Sequence, residues 1–343
     1  MATCSKYVVQ TLENIKLFRP ASGALCRQQL KTNFNNKTFA RKNNSNIDKQ
    51  INHIWKEKTS VNNRLYNKSK FRLSRWSIAE ETWVLDVGLT NYKDLCGTNH
   101  APNRKSIEER GLEDFGDSQA YLSMAIGVGI LLMTCDDCLV VTRRAAWTGE
   151  YPGMLDRPGG HPEPDLVLTP EGKLKPDLQG HLGVNDAVMD EIWNSVIQEV
   201  EDELGIDKGK LEEVRFIGLT ANISHGGRPS LEFFARLNMK SEEVREVYSL
   251  GEQREADETT SLLLIPTAIS KFLPKLLLHP EDSSDHPSSE DGPPKEKEEA
   301  GAAALSDLQP QPLESLSEAR AVITEATPAL KASLIFAKAH RLI

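Results

Sequence analysis

The stretch Val196-Ile-Gln-Glu-Val-Glu-Asp-Glu-Leu-Gly-Ile206 determines the fold that we expect for this chain. Glu199, Asp202 and Glu203 are spaced three and four residues apart, so a helix would place them on one face. Like charges at this spacing repel one another and weaken an isolated helix, which indicates a cation between them. Gly205 then stands where a glycine commonly ends a helix. The stretch therefore predicts a helix with a carboxylate face.

An apolar stripe adjoins these carboxylates when the residues are placed at about 100° intervals. It consists of Met189, Trp193, Val196 and Val200. A helix with one apolar and one acidic side can bury the first and line a cleft with the second. We predict that this helix runs over about residues 184–204.

Segments with strand and helix periodicity lie on both sides of the predicted helix. The pattern predicts strands at 127–132, 139–142, 214–219, 231–237 and 261–265, and helices at 241–250 and 329–342. The first two strands are joined by a hairpin turn that contains Cys135 and Cys138. A zinc site would need a second pair of ligands at suitable spacing, and none follows, so we interpret these cysteines as part of a reduced turn.

The N-terminal third is less regular. Residues 1–45 lack clear periodicity apart from a short strand at 7–9, and we expect a loosely structured, surface-exposed segment. Residues 46–117 predict a smaller subdomain, with a helix capped by Ser45 or Asn46 and strands at 70–73 and 83–87. A boundary near residue 118 separates it from the main domain at 118–343.

An acidic segment interrupts the C-terminal part of the chain. Residues 280–299 hold eight acids and two lysines among prolines and serines, a composition typical of disorder. Because an amphipathic helix is predicted at the C-terminus, we interpret residues of about 280–312 as a disordered insertion before a packed last helix.

Composition limits the partners of the protein. The 343 residues are 39% hydrophobic and 27% charged, with a formal net charge of −9, so bulk electrostatics disfavour nucleic acid and anionic membranes. Five cysteines suit a reducing compartment better than a disulfide framework. The first fifty residues hold nine basic residues against two acids, as in mitochondrial presequences, but they are rich in asparagine. We expect a cytoplasmic protein; the oligomeric state is undetermined, with a monomer favoured.

The acidic helix resembles part of a known family motif. The segment from Gln198 to Ile206 resembles the second half of the Nudix box, Arg-Glu-U-x-Glu-Glu-x-Gly-U, where U is a bulky aliphatic residue. Pro158-Gly159-Gly160 resembles the paired glycines that open the box. The chain departs from the pattern in two places: Gln198 replaces the arginine, and the glycines lie farther upstream. A neutral side chain therefore stands where an arginine normally positions Glu199.

Further strings resemble a branch of this family that cleaves UDP-sugars in animals. They are Lys70-Phe-Arg-Leu, Gly88-Leu-Thr-Asn-Tyr-Lys-Asp-Leu-Cys-Gly-Thr-Asn, Asp117-Ser-Gln-Ala-Tyr-Leu, Pro158-Gly-Gly-His-Pro-Glu-Pro and Val196-Ile-Gln-Glu. The resemblance covers roughly residues 46–343 apart from the acidic segment. It implies an α/β fold of the α+β type, an α/β/α sandwich with a mixed sheet. It also implies Mg²⁺-dependent hydrolysis of UDP-glucose or UDP-galactose to UMP and the sugar 1-phosphate.

The helix carboxylates supply the predicted metal ligands. Mg²⁺ takes oxygen ligands, so we expect Glu199 and Glu203 to bind it, with Asp202 in support. Mn²⁺ could occupy the same site. The group that accepts the proton of the attacking water is left open between Glu203 and Glu199, with Glu232 a weaker candidate that could instead face solvent.

The resemblance implies substrate contacts at eight positions. Tyr66 and Tyr92 would contact uracil, Arg144 a phosphate, and Gly149 and Ala329 would offer backbone groups. Asp156, His161 and Glu163 would meet sugar hydroxyls or the diphosphate. Each has a plainer reading, such as a surface ring for Tyr66, a turn residue for His161 and a strand-end cation for Arg144. Two other functions also stand: hydrolysis of a different nucleoside diphosphate derivative, or UDP-sugar binding without catalysis.

Overall fold

The computed structural model describes residues 7–79, 81–267, 273–278 and 316–343. Its strands are β1 (Tyr7–Leu12), β2 (Ile15–Pro20), β3 (Leu30–Phe34), β4 (Ser69–Ala79), β5 (Thr82–Asn91), β6 (Gly127–Thr134), β7 (Cys138–Arg144), β8 (Leu155–Asp156), β9 (Leu211–Asn222), β10 (Arg228–Leu237) and β11 (Thr259–Pro266). Its α-helices are α1 (Asn36–Phe39), α2 (Ser45–Val61), α3 (Tyr92–Gly97), α4 (Arg104–Phe115), α5 (Pro164–Val167), α6 (Val184–Leu204), α7 (Ser241–Ser249), α8 (Leu273–Leu278), α9 (Leu316–Glu325) and α10 (Pro328–Ala339).

The larger sheet is mixed, as predicted. Its strand order is β1-β2-β9-β10-β6-β7-β11, and β8 pairs with β7. Strands β6 and β10 are parallel, whereas β9 is antiparallel to β10 and β7 is antiparallel to both β6 and β11. The five strands predicted in the main domain are confirmed, and so is the turn between β6 and β7, where Cys135 and Cys138 are free thiols.

Helices cover both faces of this sheet. The predicted apolar stripe of α6 is buried on one face, where Val196 and Val200 join the cluster that contains Phe233 of β10. Helix α10 packs on the other face through Leu334 and Phe336. These two layers around the sheet confirm the α/β/α sandwich.

A second sheet, in the order β3-β5-β4, packs on the same side as α6. Phe71 and Trp83 of this sheet are fully buried in the cluster that α6 completes. Backbone hydrogen bonds also join it to the segment that enters β6, from Ile126 N to Phe71 O at 2.9 Å. The smaller sheet therefore forms one wall of the space above the carboxylate face of α6.

The structure corrects the expectation for residues 1–45. Strands β1 and β2 form a hairpin that extends the larger sheet, because β2 pairs with β9 from Ile15 to Phe18. Strand β3 belongs to the smaller sheet, parallel to β5. The hairpin was hard to predict because its partner strand lies far away in the sequence. The helix predicted here is confirmed as α2, but the cap predicted at Ser45 or Asn46 is wrong. Helix α2 begins at Ser45, and its cap is Asn44, whose side chain accepts hydrogen bonds from Asn46 N and Ile47 N.

The C-terminal predictions are confirmed where the structure describes them. Helix α10 is capped by Thr327, whose hydroxyl accepts a hydrogen bond from Leu330 N. The predicted insertion at about 280–312 lies outside the described residues. The predicted boundary near residue 118 falls between α4 and β6. Of the helices described, none has the length and apolar character needed to cross a membrane.

Candidate active site

The acidic face of α6 is at the centre of the candidate site. The helix runs from Val184 to Leu204 and ends at Gly205, whose φ of 71° is left-handed and easily adopted by glycine. Asp202 and Glu203 are buried, and Glu199 is half-buried. The carboxylates therefore face a protein-lined cleft rather than open solvent.

The glycine loop lies directly against these carboxylates. Gly159 N donates a hydrogen bond of 2.9 Å to Glu203 Oε1. A Cβ added to Gly160 would lie 2.6 Å from Glu199 Cδ, so only glycine leaves room for the carboxylate. Gly160 is itself fixed to β6 by two backbone hydrogen bonds with Val128, at 3.0 and 3.1 Å. The structure thus brings together the two halves of the motif, despite the enlarged loop between them.

Two further glutamates increase the negative charge of the cleft. The pKa of Glu199 is raised to about 8, first by burial and then by the carboxylates of Glu255, Glu258 and Asp202, against the opposing charge of Lys70. Burial also raises the pKa of Glu255 and of Glu258. Both residues lie in the turn before β11, and Glu255 N donates a hydrogen bond of 2.8 Å to Asp202 O. Our sequence analysis missed both.

The pKa of Glu203 is raised well above its usual value, first by burial and then by the charge of Glu199. The Gly159 N–H and the charge of Arg144 act in the opposite direction. Carboxylates that raise one another's pKa are short of neutralising positive charge. Their hard oxygen atoms are the ligands that Mg²⁺ and Mn²⁺ prefer, so this cluster fits a divalent cation.

Gln198, which replaces the arginine of the motif, supports Asp202 instead of Glu199. Its Nε2 donates to Asp202 Oδ1 at 3.0 Å and to Glu201 Oε2 at 3.3 Å. Arg254 Nη1 lies 3.3 Å from the other oxygen of Asp202. Asp202 is therefore held on both sides, and its supporting role at the metal stays a prediction.

Positive charge enters the cleft from β4 and the segment before it. The pKa of Lys70 is lowered to about 8, first by burial and then by the charge of Lys68, while Glu163 and Glu199 oppose the shift. Lys68 Nζ pairs with Glu163 Oε1, and Glu163 N donates to Glu191 Oε1 at 2.8 Å. Glu163 and Glu199 both act on Lys70 and thus lie in the same cleft, and the contact of Glu163 with substrate stays a prediction. Lys70 is a further cation that sequence reasoning missed.

His161 belongs to a second group of polar residues in the same cleft. Its Nε2 lies 2.6 Å from Arg228 Nη2, and Arg228 Nη1 pairs with Glu150 Oε1. Burial raises the pKa of Glu150, but Arg228 and His100 hold it well below its usual value. Glu150 is therefore a charged carboxylate inside the protein, matched by a buried arginine.

His100, Glu150 and His225 are close enough to hold a metal ion, with one ligand atom from each within 4.8 Å of the others. The pKa of His225 is lowered to about 4, first by burial and then by His100, so its ring is neutral at pH 7. Arg228 already neutralises Glu150, however, and a divalent cation would lie beside that arginine. The carboxylates of α6 fit a metal ion better.

Tyr92 and Gly149 are brought together, whereas Tyr66 stands apart. A Cβ added to Gly149 would be 3.7 Å from the Tyr92 hydroxyl, so the two predicted contacts share a wall of the cleft. Burial raises the pKa of Tyr92 above its ordinary value, and the neighbouring Cys96 adds to the shift. Trp55 packs edge-on against its ring at 6.0 Å. Tyr66 is 68% exposed and lies just before Lys68.

Arg144, Asp156 and the start of α10 form a third group. Asp156 is buried, and its Oδ1 accepts hydrogen bonds from Thr327 Oγ1 at 2.8 Å and Arg157 N at 2.9 Å. Its Oδ2 lies 3.6 Å from Arg144 Nη1. Ala329 follows Thr327 in the first turn of α10 and is half-buried. Both oxygens of Asp156 thus have partners within the protein, and these partners account for the burial of this carboxylate without a ligand.

Glu232 is placed differently from our expectation. It is fully buried, so the suggestion that it could face solvent is wrong. Arg157 donates to both of its oxygens at 3.0 Å, and Ser333 Oγ donates to Oε2 at 2.8 Å. The guanidinium fills the space over Gly129, where an added Cβ would meet Arg157 Nε at 2.5 Å. Glu232 anchors Arg157, which is the residue before Pro158 in the glycine loop.

Comparison with known proteins agrees with this arrangement. No sequence model of a protein family matches the chain. Nudix hydrolase 9 of Arabidopsis thaliana is 30% identical over 217 residues, which cover 60% of this chain and 68% of that protein. The chain therefore belongs to the Nudix hydrolase family.

Two animal proteins are more similar. Uridine diphosphate glucose pyrophosphatase NUDT22 of Bos taurus is 36% identical over 239 residues, which cover 68% of this chain and 80% of that protein. The Homo sapiens protein of the same name is 36% identical over 225 residues, covering 64% of this chain and 72% of its own length.

Proposed function

We propose that this protein hydrolyses UDP-glucose or UDP-galactose to UMP and the corresponding sugar 1-phosphate, with Mg²⁺ as cofactor. The observation that carries the proposal is the concentration of carboxylates around Glu199 and Glu203, which raise one another's pKa next to a glycine loop. The name of the animal relatives, uridine diphosphate glucose pyrophosphatase, supports the choice of substrate.

Glu199 and Glu203 would hold the metal ion, supported by Asp202. A bound divalent cation would neutralise the charge of the diphosphate and lower the pKa of an attacking water. Glu255 and Glu258 add negative charge around the same place, which strengthens attraction for a cation. Mn²⁺ has the same preference for oxygen ligands and is expected to substitute.

The other side chains of the cleft suit the two ends of a UDP-sugar. Lys70 and Arg144 place positive charge beside the carboxylates, where phosphate oxygens would otherwise be repelled. Tyr92, with Tyr66 near the entrance, offers aromatic surface for uracil. The remaining proposed contacts are Gly149, Asp156, His161, Glu163 and Ala329. Arg157 and Ser333 donate hydrogen bonds to Glu232, so Glu232 is not free to accept a proton. Glu199 or Glu203 would accept the proton of the attacking water.

The test is incubation of the purified full chain with UDP-glucose or UDP-galactose, with Mg²⁺, Mn²⁺ or EDTA, and separation of products by chromatography. We expect UMP and sugar 1-phosphate, formed only with a metal ion. UDP and free sugar as products would place the cleavage at the wrong bond and refute the proposal. Absence of turnover, together with thermal stabilisation by UDP-glucose, would instead identify a binding protein.

We further propose that the protein acts in the cytoplasm as a monomer on a small-molecule substrate. The four cysteines that the structure describes are free thiols, which suits a reducing compartment. Imaging of a C-terminal fluorescent fusion tests the location, and a mitochondrial signal would overturn it. The mass in solution by light scattering tests the oligomeric state.

A further inference from the structure

The contact between His161 and Arg228 restricts where the imidazole can carry its proton. His161 Nε2 lies 2.6 Å from Arg228 Nη2, a hydrogen-bonding distance. Arginine has five N–H donors and no acceptor, and it stays protonated in proteins. Arg228 must therefore be the donor in this bond. Nε2 of His161 accepts with its lone pair and carries no proton.

The guanidinium of Arg228 cannot easily turn away from His161, because its second terminal nitrogen is also bound. Nη1 pairs with Glu150 Oε1, and the arginine side chain is 11% exposed. His100 Nε2 lies 2.8 Å from the same oxygen of Glu150. These residues come from the turn after β7, the start of β10 and the segment after α3, so three parts of the fold fix the guanidinium.

The surroundings of His161 also favour a neutral ring. Burial lowers the pKa of His161 well below its usual value, and the positive charges of Lys70 and Arg228 lower it further. Glu150 opposes the shift but is already paired with Arg228. A neutral imidazole has one proton, and Nε2 is occupied as an acceptor. The proton must then be on Nδ1.

We propose that Arg228, held by Glu150, fixes His161 as the neutral Nδ1–H tautomer, so that the ring acts on substrate as a hydrogen-bond donor. Arg228 and Glu150 are positioning residues in this arrangement. The consequence for substrate rests on the proposed function: an N–H group suits the oxygens of a diphosphate or a sugar. The tautomer excludes His161 as a general base through Nε2, because that lone pair is already used.

The tautomer can be measured without substrate. Long-range ¹H–¹⁵N correlation spectra of the full chain, labelled at its eight histidines, distinguish rings protonated on Nδ1, on Nε2 or on both. The His161 signal is identified by its loss in His161→Asn. At neutral pH we expect the Nδ1–H pattern for His161. A ring protonated on Nε2, or on both nitrogens, overturns the proposal.

Variants of Arg228 test the cause. Arg228→Met removes the donor and frees Nε2, so the Nδ1–H pattern should be lost or mixed. Arg228→Lys keeps a cation that can only donate, and it should retain the pattern. Arg236→Met is the matched control, because it makes the same change at the other end of β10, where Arg236 pairs with Asp137. An unchanged His161 pattern in Arg228→Met would show that Arg228 does not determine the tautomer.

Turnover provides a second readout. The amide nitrogen of asparagine can occupy the position of Nδ1, whereas that of glutamine reaches the position of Nε2. We expect His161→Asn to retain more activity than His161→Gln, by a factor of about 10 to 100, the range for a hydrogen bond to a charged group. The reverse order contradicts donation through Nδ1. If wild type turns over no UDP-sugar, the proposed function fails, and the spectra still decide the tautomer.

Discussion

Replacement of Gly160 by alanine tests whether the glycine loop determines the position of Glu199. An added Cβ would lie 2.6 Å from Glu199 Cδ, whereas ordinary contacts begin at 3.4 Å. Because Glu199 Oε1 lies closer still, the carboxylate would have to move by more than about 0.8 Å to relieve the clash. Gly160 does not have a positive φ, so its backbone can accept alanine, and the strain falls on the tip of a flexible side chain.

A displacement of about 1 Å in an active site can reduce turnover by about 100-fold, and we expect a loss of that size in Gly160→Ala. This corresponds to about 2.7 kcal/mol of transition-state stabilisation. Folding stability should change by less than about 1 kcal/mol, because a side-chain tip can yield where a packed core cannot. The variant thus separates function from stability.

The assay is UMP release from UDP-glucose at saturating Mg²⁺, alongside thermal unfolding. Gly183→Ala is the control for turnover, since its added Cβ would be 3.7 Å from the nearest atom, Asp186 Oδ2, and it should turn over UDP-glucose like wild type. Its melting temperature is not a control, because Gly183 is the N-cap of α6, where alanine is less favourable than glycine. Gly159→Ala gives the contrast: its Cβ would meet Gly129 Cα at 2.8 Å, so it should lower the melting temperature. Wild-type turnover by Gly160→Ala would refute the argument that the loop positions Glu199.

Three further predictions follow from the described contacts. Glu199→Gln should abolish turnover with an unchanged circular dichroism spectrum, because it removes a charged metal ligand; retained activity would remove Glu199 from the metal site. Arg157→Met should lower the unfolding free energy in urea by about 3–5 kcal/mol, since Glu232 is left buried and unpaired. The double variant with Glu232→Gln should recover part of that loss, and strictly additive losses would argue against coupling. Because the pKa of His225 falls to about 4 on folding, the unfolded chain binds more protons between pH 4 and 6.5. Stability is then fully present above pH 6.5 and lost as pH falls through this window; an equally steep loss in His225→Gln would exclude His225 as its source.

The sequence predicts the centre of the site well because its geometry is local. Three and four residues along a helix always share a face, so the positions of Glu199, Asp202 and Glu203 follow from secondary structure alone. The end of α6 at Gly205 follows from the conformational freedom of glycine. The α/β/α arrangement is instead implied by the family resemblance, and the structure confirms it with apolar clusters on both faces of the sheet.

The rest of the site depends on contacts between distant segments. Lys70 reaches Glu199 across about 130 residues of sequence, and nothing in its own strand indicates that it is buried beside a carboxylate. Glu255 and Glu258 lie in a turn whose position is set by a hydrogen bond to Asp202. Glu232 was misjudged for the same reason, because its partner Arg157 comes from a loop 75 residues earlier. The periodicity of the sequence identifies which residues share one face of a helix or strand, but it does not identify the distant residues that this face contacts.

The pairing of β2 with β9 has a consequence for synthesis of the chain on the ribosome. About 190 residues separate the end of β2 from the start of β9, which takes roughly 10–40 s to translate at about 5–20 residues per second. During that time the hairpin of β1 and β2 has no sheet to join, and Ile15 and Leu17 lack the core that later buries them. Lys16 lies between these apolar residues and Arg19 follows them in the same strand, and such charges discourage aggregation of an unpaired strand. The hairpin thus leaves the ribosome long before the strand that it joins in the native sheet.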